Sequence, residues 1–326
     1  MAKTFYILKM MRNVEKHHIL SDEQYGGRNN RQPQSVIINK IMYYNITHQT
    51  RVPAAFMDDD ARACYDRILT SLNGVENRRW GAPYELSTFT TKFIEQQIFN
   101  IRTGAGESTL TYSYSRENQI QGSGQGVAWA GPRWLCSGDT CSSLLQKNCA
   151  GMHFFDPQQR IHVKRTGDHF VDDRANGTNQ HTIKNDLTVL QQLQKDEQYH
   201  AHVLFALGHK LAIDKCKFYM VTFQRNGISH EHRSIQQEPG LMHIQETFTS
   251  EPAPVQRLEA HQAHRSLGCL ITIDGSQEEQ YDAVLQKVLQ WKDRIRGSTL
   301  SSDERYIAYE SYLKKSLQYI IASTNF

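Results

Sequence analysis

Apolar positions along the chain fall into short runs closed by acids, glycine or proline, and their spacing switches between strand-like and helix-like. Val52-Pro53-Ala54-Ala55-Phe56-Met57 is the first strong run; it ends in Asp58-Asp59-Asp60, and the residues from Ala61 through Leu72 then carry helical spacing up to Asn73-Gly74. This predicts a strand, an acidic corner and a helix. A second helix is expected from Pro83 to Phe99, then a hairpin around Gly104-Ala105-Gly106 whose second arm covers 109–115. The glycine-rich corner Gln121-Gly122-Ser123-Gly124-Gln125-Gly126 leads into a stretch, Val127 to Leu145, that becomes helical after Pro132. Two extended pieces, 152–155 and 160–163, flank an Asp156-Pro157 turn, and a third runs into His169-Phe170-Val171-Asp172-Asp173. Helical spacing returns from Thr188 to Leu207 and stops at Gly208, before a strand over 217–223. From Asn226 to Pro254 the pattern is weak. Leu267 to Ile273 reads as a strand closed by Asp274-Gly275, and two helices follow, Glu278 to Ile295 and Asp303 to Ala322. Strands interleaved with helices, then a helical tail, predict an α/β (α+β) sheet domain with a helical appendage.

Composition changes this picture little. The 326 residues carry 37 Lys and Arg against 34 Asp and Glu, a net charge of +3, which is too near neutral to announce a nucleic-acid partner by charge alone. With 39% hydrophobic residues the chain can bury a core of ordinary size. No apolar run reaches the roughly 18 residues of a membrane span. Lys3 and Lys9 bracket the short apolar start without a small-residue cleavage site, so the expected location is intracellular, nucleus or cytoplasm, and not secreted. Six scattered cysteines suit buried thiols and no disulfides. Cys136, Cys141, Cys149 and His153 offer four zinc ligands but lack the paired knuckle spacing, so thiols along one apolar helix are the plainer expectation. His200 with His202, and His230 with His232, read as surface or packing histidines.

The chemistry lies in the acids. Carboxylates gathered at the ends of buried strands repel one another and are poorly solvated, and a divalent cation removes that cost. Carboxylate and water oxygens suit Mg2+, with Mn2+ as a substitute, and two such ions about 3.5 to 4 Å apart form the clamp used in nucleotidyl transfer. A turn at Asp172-Asp173 beside a strand ending at Asp58-Asp59-Asp60 would assemble that site. Phe-x-Asp-Asp alone is a weak signal; its order among other segments strengthens it.

Those segments are 60–68, beginning Asp60-Ala61-Arg62-Ala63-Cys64-Tyr65; Gln125-Gly126; Phe170-Val171-Asp172-Asp173; Gly208-His209-Lys210 through Lys215-Cys216; and Arg265-Ser266-Leu267-Gly268. Together they resemble the successive palm motifs of a reverse transcriptase, an RNA-directed DNA polymerase, most closely the non-LTR-like retroelement type of eukaryotic genomes. Ile19 to Arg28 is similar to the segment such enzymes carry between fingers and palm. The resemblance implies a right-hand polymerase palm sheet with flanking helices, reduced fingers and a helical thumb. On that basis 1–50 is a remnant of the fingers, 51–275 the palm with finger elements at 75–125, and 276–326 the thumb-like segment, in an N-terminally truncated chain. It implies that Asp60, Asp172 and Asp173 hold two Mg2+ ions, with Asp58 as the main rival of Asp60 and Asp59 beside it. Tyr65 becomes the steric gate against ribonucleotides, Gln125 and Gly126 face the dNTP, Lys215 protonates pyrophosphate, and Leu267-Gly268 is the primer grip. Lys287, Lys292, Arg294, Arg296, Lys314 and Lys315 are available to the duplex backbone. Partners would be dNTPs and an RNA or DNA template with its primer. Lys9, Arg12, Lys16, Arg28 and Arg31 match no known triphosphate clamp. The family's Ser-Pro pair after the glutamine-glycine motif is displaced here to Ala130, Gly131 and Pro132, and its asparagine before the motif lysine is Ala212. The alternatives are an RNA-dependent RNA polymerase, disfavoured by Tyr65 where that family has aspartate, and a catalytically inactive retroelement relic that at most binds nucleic acid.

Overall fold

The run before the three aspartates forms the middle of a six-stranded sheet in a computed structural model that describes residues 2–115, 121–123, 129–183 and 187–322. Helices α1 (Ala2–Lys16) and α2 (Pro33–Thr50) come first, followed by strand β1 (Ala54–Asp60). Helices α3 (Thr70–Arg79) and α4 (Tyr84–Glu95) precede a hairpin of β2 (Ile98–Thr103) and β3 (Gly106–Ser113), and α5 (Ala130–Asn148) follows. Next are β4 (Met152–Phe155), β5 (His162–Arg165), β6 (Asp168–Phe170) and β7 (Asp173–Asn179), then α6 (Val189–Ala206). Strands β8 (Lys217–Val221), β9 (Phe223–Asn226), β10 (Ser229–His232), β11 (Met242–Ile244) and β12 (Ala253–Leu258) lead to the hairpin of β13 (His264–Ser266) and β14 (Cys269–Ile271). Helix α7 (Glu278–Arg296), α8 (Ser302–Ala308), a π-helical turn over Tyr309–Leu313 and α9 (Lys314–Ala322) end the described chain.

The main sheet runs β11-β12-β8-β1-β7-β6, with β1 antiparallel to both neighbours and β12 parallel to β8. Because side chains alternate along a strand, β1 feeds two cores. Ala55 and Met57 pack with Leu145 of α5, Leu193 of α6 and Phe218; Ala54 and Phe56 pack with Ile37 and Tyr44 of α2 and with Cys269 and Ile271 of β14. Helices cover both faces, so β1 is buried along its length and the acids at its end emerge from an apolar sheet.

Several expectations are corrected. The three aspartates lie on β1 itself, not on a corner after it. The helix expected from Ala61 starts only at Thr70, because Ala61 N donates to Asp172 O (3.0 Å) and Arg62 N to Lys210 O (2.8 Å), keeping the chain tied to its neighbours through a series of turns. Gly74 does not stop that helix; a Cβ there would stand 2.9 Å from Thr91 Oγ1, so the glycine lets α3 and α4 approach closely. The strand expected over 267–273 is a hairpin whose two turn residues, Leu267 and Gly268, both have positive φ (48° and 87°), as a tight primed turn requires. Strand β7 is unexpected from its sequence, Asp-Arg-Ala-Asn-Gly-Thr-Asn, since its buried polar groups find specific partners: Asn176 Nδ2 donates to Asp59 Oδ2 and Thr178 Oγ1 to Val189 O. All six cysteines are buried thiols outside any disulfide, with Cys136 and Cys141 on α5 and Cys149 at its end.

Candidate active site

The register of β1 against β7 sets Asp60 directly across from Asp173, and the two residues joining β6 to β7, Val171 and Asp172, form the tip beside them. Val171 has φ +57°, a conformation a β-branched residue rarely adopts. Surrounding groups hold it there: Trp134 Nε1 donates to Val171 O (2.7 Å), and Gly26 approaches so closely that a Cβ would lie 2.3 Å from Val171 N. Tyr25 N also donates to His169 O (2.8 Å), so the segment 19–28, matched above to a polymerase connection, braces the acidic tip.

Alternation along β1 sends the three aspartates to different fates. Asp58 accepts from the buried Lys40 ammonium (2.5 Å), with His264 Nε2 3.9 Å away, so its charge is already met. Asp59, on the opposite face, joins a buried network: Arg174 Nη1 lies 2.9 Å from Asp59 Oδ2 and 3.1 Å from Glu197 Oε2, while His200 Nδ1 lies 3.4 Å from the same Asp59 oxygen. Two acids and two cationic partners make that network close to neutral. Burial works against the charged form of Asp59, but His200 and Arg174 outweigh it and hold its pKa below the carboxylate range; burial and Arg174 work against charging His200, but Asp59 keeps its pKa well above the ordinary histidine value. His200 is therefore not the surface or packing residue expected.

Asp60 sits at the partly open end of the sheet with the Lys215 ammonium 2.7 Å from Oδ2. Asp173 is pushed up to about 7, chiefly by burial and then by Asp172, Asp60, Asp58 and Asp59; burial, then Asp60, also raises Asp172. A carboxyl lifted by burial and then by its like-charged neighbours marks a point where a cation would be welcome, and the donors are all hard oxygens, which suits Mg2+. Their grouping is loose, however. Among the described residues, three ligand atoms within 4.8 Å of one another occur only at Asp59, Glu197 and His200. That trio could hold a metal ion by donor type, but the Arg174 guanidinium stands against all three of its members, with Nη1 also 3.1 Å from His200 Nδ1.

Tyr65 is half-buried against the cluster of Ala61, Cys64, Ile68 and Trp134, and burial, then Cys64 and Asp172, raises its hydroxyl pKa. Ser123 N donates to Tyr65 O (2.9 Å), and Gly122, with φ +93°, passes where a Cβ would meet the Asp66 backbone at 2.9 Å. Gln125 and Gly126 lie outside the described residues. Leu267, like Phe170, packs against the cluster of Tyr25, Val36 and Ala175, bringing the β13–β14 tip to the two strands that Val171 and Asp172 join. A Cβ on Gly268 would lie 3.6 Å from the ring of Tyr319 on α9, whose hydroxyl donates to Leu267 O (2.5 Å). Lys314 is paired with Glu310 at 2.8 Å, while Lys287, Arg294 and Arg296 lie along α7. The residues missed by sequence reasoning are Lys40, Arg174 and Glu197, whose importance comes from pairing with acids 18, 115 and (through Arg174) 23 positions away.

No protein-family model matches the chain, and no curated protein matches it. Among solved structures it is similar to telomerase from Candida albicans in complex with a TWJ fragment of telomeric RNA, with 12% sequence identity and a TM-score of 0.40 over 71% of this chain and 35% of that one. The chain thus spans about a third of the length of that structure. No described helix is long and apolar enough to cross a membrane.

Proposed function

We propose that the chain carries the palm and thumb of an RNA-directed DNA polymerase that extends a primer 3′-hydroxyl with dNTPs. The observation that carries this reading is the Asp60–Asp173 register with Asp172 at the adjoining tip, in the sequence order of the palm motifs. Asp60, Asp172 and Asp173 would hold two Mg2+ ions; when bound, these supply Lewis-acid activation of the attacking hydroxyl and charge neutralisation of the departing pyrophosphate. The chain's own groups then have separate tasks. Lys215, an ammonium beside Asp60, donates a proton toward pyrophosphate. Tyr65, packed on Cys64 and Ile68, limits the space under the sugar and excludes a 2′-hydroxyl. The Leu267-Gly268 tip supports the primer end, and Gln125-Gly126 faces the nascent pair.

A second reading, a nucleic-acid-binding module without turnover, is favoured by the Lys215 ammonium standing on Asp60 Oδ2, where a cation would otherwise bind. Primer extension on a homopolymer RNA template with Mg2+ or Mn2+ separates the two. The polymerase reading expects incorporation that Asp172→Asn abolishes; incorporation surviving that change removes the assignment of the site, and binding without incorporation leaves the second reading.

A further inference from the structure

Lys9, Arg12 and Lys16 have no role at the acid corner, yet the fold gathers them. They sit at i, i+3 and i+7 on α1, beside a stripe of Met10 and Val14 that packs on Trp80, Leu135 and Cys136. The three cations project at the edge of that buried stripe and, with Trp80, Pro83 and Leu86, line a groove of about 490 Å³ between α1 and the start of α4. None of the three makes an ion pair among the described residues, and no acidic side chain lines the groove. Glu15, the acid nearest along α1, is held by both Arg28 Nε (3.1 Å) and Nη2 (2.9 Å); Glu85 follows in the first turn of α4 outside the lining. Concave and apolar-floored, with Lys9, Arg12 and Lys16 as its charged lining and Asn13 beside them, the groove suits a ligand with a repeated anion and a less polar body.

We propose that this groove holds the phosphate backbone of a single-stranded nucleic acid, as a contact separate from the acid corner. At about 1.5 Å rise per residue, Lys9 to Lys16 spans about 10.5 Å, so the three cations form a row along the groove that a chain of successive phosphates can follow. Charge complementarity of that spacing favours a polyphosphate backbone over an isolated anion. Sugars and bases would lie over Pro83 and Leu86, while the phosphates follow the α1 edge. This goes beyond the polymerase reading, because none of these residues belongs to the proposed catalytic set.

The test is fluorescence anisotropy of a labelled oligouridine RNA against salt, for the full chain and for the combined variant Lys9→Gln, Arg12→Gln, Lys16→Gln. Each phosphate contact contributes about 0.7 to the slope of log K against log salt for single strands, so three lost contacts lower the slope by about 2. The variant Lys9→Arg, Lys16→Arg is expected to keep the parent slope, and an unchanged melting curve of the glutamine variant shows that the exposed positions are not needed for folding. An unchanged slope overturns the proposal. So does displacement of a poly-glutamate peptide, but not RNA, by the glutamine changes, which would make the groove a protein-binding surface. Absence of RNA binding by the parent chain overturns it as well. Primer extension on the same preparations decides the polymerase reading independently, since the acid corner is untouched in every variant.

Discussion

Arg174→Met removes one cation from a network that has almost no water to replace it. The Arg174 and Asp59 side chains are 3% and 2% exposed and Glu197 is fully buried, so the change leaves two carboxylates facing one histidine. It also removes the Arg174 Nη2 bond to Thr166 O at 2.7 Å. Breaking a buried pair by deleting one partner costs about 3–5 kcal/mol, because the remaining charge stays desolvated. For 326 residues at about 2.1 cal/mol/K of unfolding entropy each, that corresponds to a Tm lowered by about 4–7 °C. The pair Lys215–Asp60 provides the contrast: its N–O distance is shorter, 2.7 Å, but Lys215 is 61% exposed, so Lys215→Ala is expected to cost under about 1 kcal/mol. Urea unfolding followed by circular dichroism reads both. If Arg174→Met costs less than about 1 kcal/mol, or no more than Lys215→Ala, burial is not what gives the network its strength and the argument fails.

Arg174→Ala frees Asp59, Glu197 and His200, whose ligand atoms lie within 4.8 Å, and zinc should then raise the Tm of the variant but not of the parent; no zinc response in the variant refutes the donor geometry. Asp173, with a folded pKa pushed up to about 7 against an unfolded value near ~3.9, holds its proton more tightly when folded, so without metal its contribution opposes folding increasingly as pH rises from about 4 to 7. Asp173→Asn is accordingly expected to raise the metal-free Tm at pH 8 and to lose any stabilisation by Mg2+, which differential scanning calorimetry with and without the ion would check. His200, raised, contributes stability that is complete below its unfolded value near ~6.5 and lost as pH rises through the folded one, while Asp59, depressed, contributes above ~3.9 and loses it as pH falls; chemical denaturation at stepped pH should show both flanks, and both should vanish in Asp59→Asn. Gly26→Ala forces a Cβ to within 2.3 Å of Val171 N, so the tip must move, at about 1–3 kcal/mol or more, and an unchanged midpoint in urea would show that the brace is slack. In an active enzyme Tyr65→Val is predicted to admit ribonucleotides, measured as the ratio of rNTP to dNTP incorporation.

Legibility in the sequence followed the range of the forces involved. Helices α6 and α7 have apolar periodicity and breakers of their own, so 188–207 and 278–295 were readable almost to the residue. Asp172 was readable as the end of an extended piece, but the pattern did not show that this piece lies beside the strand of Asp60; the register does. Strand β7 was not, because Arg174, Asn176 and Thr178 are stable in a central strand only through partners on β1 and α6 and around Gly167 that no local window contains. The late start of α3 has the same origin: 61–67 keep helical spacing, but the amides of Ala61 and Arg62 are claimed by Asp172 and Lys210. Nor could the pattern around Leu267 distinguish a strand from a hairpin, since both put Cys269 and Ile271 on the core side. At the acids themselves, three consecutive aspartates gave no hint that Lys40 and Arg174 would silence two of them.

The tether from Tyr319 to Leu267 links the helix of Tyr319 to the hairpin tip beside the acid corner. Leu267 packs against the same core as Tyr319 and against a second core that Phe170 also flanks, so the hairpin tip bridges the tail and the acid-bearing ribbon. Cutting the rope with Tyr319→Phe would leave every carboxylate in place and still uncouple their alignment from the posture of the tail.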